Sequence, residues 1–157
     1  MPATRRIHGT TIVGALALLG TACADGVADL TTEVQDRYAH WLEARPPSYV
    51  FELHRECVCA EDLMRATWIS VDGAQVVEAR DVETGASLPS SDPRILDIDD
   101  LFEVLLRHTR QEGASVTLNF AADYGYPTLI HGWLPDVLAT QFTLRVEGFE
   151  AGTAVGQ

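Results

Sequence analysis

Lysine is missing altogether. All eleven basic residues of this 157-residue chain are arginine, set against 23 acidic residues for a formal charge of −12 at pH 7. The missing lysine reads as a habit of genome composition, without mechanistic weight. The shortage of positive charge has more to say: nucleic acids and anionic lipid surfaces are held by clustered Lys and Arg, and no basic stripe occurs, so neither is an expected partner. Long apolar runs are missing too, the longest (residues 12–19) being far too short to cross a bilayer. There is no nucleophile elbow, zinc-protease helix or phosphate loop. The five histidines do not assemble one either: His8 is near the N-terminus, His40 and His108 fall on polar helix faces, and His54 and His131 fall on strands. No catalytic residue and no cofactor are therefore assigned.

What the N-terminus does contain is an export signal. Arg5 and Arg6 supply the positive start, Ile12 to Leu19 the apolar stretch, and Gly20-Thr21-Ala22 the small residues that precede a cut. The next residue is Cys23, and "LLGTAC" resembles the bacterial lipobox, in which that cysteine is lipidated and becomes the new N-terminus. Residues 1–22 are thus expected to be a lipoprotein signal peptide, 23–30 a tether, 31–149 a single domain and 150–157 a disordered tail. The expected location is extracytoplasmic, held at a membrane through acyl chains on Cys23; without use of the lipobox the chain would be secreted.

Cysteine is scarce, with three in the chain. With Cys23 acylated, Cys57 and Cys59 in "HRECVCAED" are the only thiols left in an oxidising compartment, and three fates stay open. They can staple the end of a strand, form a redox pair, or join His54 in a copper or zinc site. Strand parity places His54 on the face opposite Cys57.

Periodicity gives the fold. Leu30, Val34, Tyr38, Trp41 and Leu42 recur at helical spacing over about 30–44, with Thr32 and Gln35 as a capping box and "RPP" as the stop. "SYVFELHREC" alternates, turning Tyr49, Phe51 and Leu53 to one side. "ATWISVDGAQVVEA" predicts a hairpin turning at Asp72-Gly73, with Val71 opposite Ala74, Ile69 opposite Val76 and Trp68 opposite Val77. A loop over 83–97 precedes a second helix capped by Asp97, with Asp99 and Asp100 matched to the helix dipole and Ile98, Leu101, Phe102 and Leu105 as its apolar stripe. "SVTLNF", "TLIHGW" and "QFTLRVEGF" then give three more strands. The expected fold class is α+β, an antiparallel sheet of about six strands in the order helix-βββ-helix-βββ with both helices on one face. The rhythm also invites an internal duplication.

From Trp41 to about Phe149 the chain resembles DUF6174, a group of uncharacterised bacterial exported proteins and lipoproteins. The residues that carry this are "YVFELHRECVC", "VDGAQVV", "ETG", "IDDLFEVL" and "DYGYPTLI", taken in order. The resemblance implies little about activity.

The expected function is therefore that of a membrane-tethered binding or accessory protein of the cell envelope, with an as yet unidentified protein as a partner. Tyr124, Tyr126 and Trp133 are its candidate binding surface, because exposed aromatic rings suit interface hot spots. The competing reading is a thiol-redox or metal-handling protein acting through Cys57 and Cys59.

Overall fold

The structure, a computed structural model, describes residues 25–111, 113–134 and 140–152. The expected signal peptide, Cys23 and residues 153–157 lie outside the described residues. Helix α1 (Asp25–Ala44) leads into β1 (Ser48–Cys57), a 3₁₀ turn (Glu61–Met64), β2 (Thr67–Asp72) and β3 (Gln75–Asp81). Helix α2 (Ile98–Thr109) then leads into β4 (Ser115–Phe120), β5 (Pro127–Leu134) and β6 (Thr140–Ala151). This is the α+β class in the expected element order. Two boundaries differ. No proline interrupts 25–44, so α1 reaches back to Asp25, through most of the expected tether, and Thr32 is interior to it. At the other end β6 continues to Ala151, where a disordered tail was expected from residue 150. Ala151 pairs with Tyr49, and the Gly152 N–H donates to the Ser48 carbonyl at 2.8 Å, so the start of β1 finds its partner there.

The strands form one sheet in the order β3-β2-β1-β6-β5-β4, antiparallel throughout. Each half is a meander, and the first strand of one half is joined to the last strand of the other. Register fixes which side chains share a face: Leu53 stands opposite Val146, Arg55 opposite Leu144, Cys57 opposite Phe142, and Ile130 opposite Leu144 from the other side. Tyr49, Phe51, Leu53, Ile69, Val71, Ile130, Leu144 and Val146 make the apolar side and are buried. Both helices meet that side. Trp41 of α1 packs edge-on against Tyr49, and Phe102 of α2 stacks on Phe120. The suggested duplication fails on this geometry: the rotation that carries one meander onto the other reverses strand direction, and would therefore put the second helix on the opposite face.

The helix stripe Ile98, Leu101, Phe102 and Leu105 is buried as expected. Asp97 and Asp100 close a reciprocal capping box, each carboxylate accepting from the other's backbone N–H at 2.9 and 3.0 Å. The first hairpin needs correction. Its two loop residues are Gly73 and Ala74, flanked by the pair Asp72 and Gln75, and Val71 faces Val76. Gly73 takes a φ of 64°, a conformation glycine adopts without steric cost. A bulge follows at Val77, so that Ile69 faces Ala79. Without that extra residue Glu78 would lie opposite Ile69 in the core; the bulge turns Ala79 inward and leaves Val77 exposed. A second irregularity, in β6 opposite Val50 and Glu52, has Gly148 at φ 59° and swings Phe149 inward, where it stacks on Tyr126.

Candidate binding groove at the seam of the sheet

The apolar parity of β1 runs Tyr49, Phe51, Leu53 and then breaks, because the next inward residue is Arg55. A cation on a core-facing position costs desolvation unless something compensates it. Burial lowers the Arg55 pKa; the field of Asp92 opposes this and that of Arg94 adds to it. Both terminal nitrogens of Arg55 donate to the Pro93 carbonyl at 3.3 Å. Asp92 is already committed, paired with Arg94 at 3.0 Å.

Over this end of the sheet lies the C-terminal half of α2, and between them is a groove of about 280 Å³. Leu96, Val104, Phe142 and Leu144 give it apolar walls, and Arg55, Arg107, His108 and Gln111 its polar groups. No ion pair joins either guanidinium to a carboxylate among the described residues. His108 packs edge-on to Phe142, ring centroids 4.8 Å apart. It is only 6% exposed, and its Nε2 has no hydrogen-bond partner. Burial first, and then the Arg107 charge, pull its pKa below the ordinary 6.5, so the ring is neutral at pH 7. Room for the ring pair comes from Gly132 in β5. A Cβ there would stand 2.7 Å from the Phe142 ring and 3.0 Å from His108 Nε2. The lining residues can bind and orient an anion beside an apolar group.

Sequence reasoning missed this groove. It placed His108 on a polar helix face, whereas the ring is buried against β6. The arginine at the apolar parity of β1 was the available signal.

The residues singled out from sequence have separate fates. The sulfurs of Cys57 and Cys59 are joined, their Cα atoms 5.3 Å apart, as β1 ends. Cys57 also lines a second depression of about 260 Å³, with Glu56, Val58, His131, Gln141, Phe142 and Thr143. There His131 Nδ1 lies 2.9 Å from Thr143 Oγ1, and its Nε2 lies 3.3 Å from Gln141 Nε2. His54 is on the opposite face, with Nε2 at 3.5 Å from Glu52 and 3.7 Å from Glu147. The suggested His54-Cys57-Cys59 metal cluster is therefore not brought together, for the parity reason already given, and no group of metal-ligating side chains occurs among the described residues. Nor do Tyr124, Tyr126 and Trp133 form one surface. Tyr126 is buried, ring centroid 4.3 Å from Phe149 and 6.0 Å from Trp41, and burial raises its pKa. Tyr124 leans on Phe149 at 5.7 Å. Only Trp133, at the far end of β5, is exposed.

No curated protein matches the chain, and no solved structure does. A family model does, over residues 33–131, which takes in most of α1, all of β1 to β4 with α2, and β5 as far as His131. Arg55, Leu96, Val104, Arg107, His108 and Gln111 fall inside the matched span, and Phe142 and Leu144 beyond it. The chain belongs to DUF6174, a family of unknown function.

Proposed function

We propose that the chain acts as a membrane-tethered, extracytoplasmic binding domain of the cell envelope, with the groove between α2 and the ends of β1 and β6 as its working surface. The observation that carries the binding role is the groove's charge. In a chain of net charge −12 it gathers Arg55 and Arg107 beside apolar walls, with no carboxylate among its lining residues. Such a site favours anions against the sign of the whole molecule. Support for the location comes from the basic, apolar and small-residue sequence ending at Cys23, and from the pairing of Cys57 with Cys59, which suits an oxidising compartment. The test is fractionation with intact-mass measurement of the wild type and Cys23→Ser. Expected is a wild type that sediments with membranes and carries the added mass of acyl chains, and a variant that does neither. Equal partition of the two would contradict the tether.

A thiol-redox role is the second reading, favoured by the position of Cys57 beside the depression that holds His131 and Thr143. Alkylation of both cysteines after mild reductant would support it. A pair that stays closed under strong reductant would remove it.

A further inference from the structure

The groove's chemistry narrows its ligand. Resting on the binding-domain reading, we propose that it takes a small amphiphilic carboxylate, head toward Arg107 and Arg55 and aliphatic chain against Leu96, Val104, Phe142 and Leu144.

Four observations lead there. The first is charge complementarity: Arg55 and Arg107 approach the same cavity from a strand and a helix, and no ion pair to a carboxylate satisfies either among the described residues. Arg55 is half-buried with only the Pro93 carbonyl as acceptor among the described residues, Arg107 is exposed at the rim, and a carboxylate matches the planar guanidinium fork in two-point geometry. The second is the His108 ring, which forms part of the wall with its Nε2 turned to Gly132 and sealed from the groove, so that the ring presents a neutral surface beside the two arginines. The third is the wall itself, four aliphatic or aromatic side chains that reward an apolar chain over a bare anion such as acetate. The fourth is size. A volume of about 280 Å³ equals roughly nine waters at their liquid packing, room enough for one medium-length chain.

Other features lead to no comparable ligand. On the outer face of the sheet the one cation among the described residues around His54, Arg145, already lies against Glu56 and Glu147.

The experiment is calorimetric titration of the purified protein with octanoate, octanol and acetate, on wild type, Arg107→Gln and Arg55→Gln. Expected is saturable 1:1 binding of octanoate, at least tenfold weaker binding of octanol, and no measurable binding of acetate. Losing one charge-assisted bond weakens affinity by about tenfold or more, so Arg107→Gln, on the helix surface, should weaken octanoate by that factor with its thermal midpoint unchanged. Should Arg55→Gln unfold, Arg107→Gln alone decides. Octanol binding as tightly as octanoate, equal octanoate affinity in wild type and Arg107→Gln, or no octanoate binding would each overturn the proposal. Failure here with Cys23-dependent membrane retention intact would strike the ligand and leave the tether. The converse result, octanoate binding by a protein that Cys23→Ser does not release, would strike the tether and support the ligand.

Discussion

His108 of α2 and Phe142 of β6 meet edge to face, with interplanar angle 82°, over the bare backbone of Gly132. This contact locks the end of α2 onto the sheet and builds the floor of the groove. Gly132→Ala should therefore destabilise the fold by about 1–3 kcal/mol, the usual cost of forcing a methyl group into a packed site. The urea midpoint measures it. Adding Phe142→Leu, which removes the ring the new Cβ would strike, should recover part of the loss.

The same histidine gives the fold a pH dependence of definite sign. Its folded pKa lies below the ordinary 6.5 because the protonated ring is penalised by burial and by Arg107. Above about 6.5 both folded and unfolded chains hold it neutral, and its contribution is complete. Below that, the unfolded chain takes up a proton that the folded one resists, so stability falls with pH from about 6.5 down toward the folded pKa. Urea midpoints at pH 7.5, 6.0 and 5.0 should decline in wild type and decline less in His108→Gln. Asp81 and Asp92, held low chiefly by the Thr84 N–H and by Arg94 respectively, act in a more acidic window, their stabilisation being lost as pH falls below about 3.8.

Asp99 ties the two helices together. Its Oδ1 accepts from Trp41 Nε1 and its Oδ2 from Arg45, both at 2.8 Å. Asp99→Ala leaves the fully buried Trp41 with an orphaned N–H, for an expected loss of about 2 kcal/mol. Asp99→Asn keeps an acceptor for Trp41 and removes only a half-exposed ion pair, for an expected loss below about 1 kcal/mol. Equal losses would show that the ion pair, and not the tryptophan, sets the cost.

The Cys57–Cys59 bridge spans a sequence separation of 2 and so closes a loop of three residues. Loop-closure entropy for so short a ring amounts to about 1.5 kcal/mol. The Cys57→Ser/Cys59→Ser double variant should fold and lose no more than that in a urea titration. A much larger loss would mean that the bridge organises more of the fold than its own turn.

What the sequence made legible was what depends on neighbours along the chain. Alternation around Phe51 and around Leu144 identified strand faces, and Asp97 with Asp100 identified the start of α2. What it did not show depends on where elements cross. Asp99 reads as a dipole-matched carboxylate until α1 brings Trp41 and Arg45 to it, and Tyr126 reads as a loop aromatic until the β6 bulge delivers Phe149. The groove arises because the loop after β3 and α2 carry the chain across the sheet, from one edge to the other, and set Arg107 and His108 above Arg55. No local period encodes that crossing.

Binding at the groove is the centre of this account, and location tests it more directly than affinity. Backbone chemical shifts of the isotope-labelled protein, followed through an octanoate titration, should move saturably at Arg55, from Val104 to Gln111 and from Phe142 to Leu144 where signals are assigned, with Val77 and Glu78 of the edge strand β3 unchanged. Shifts centred on β3, or none at saturating octanoate, would contradict it.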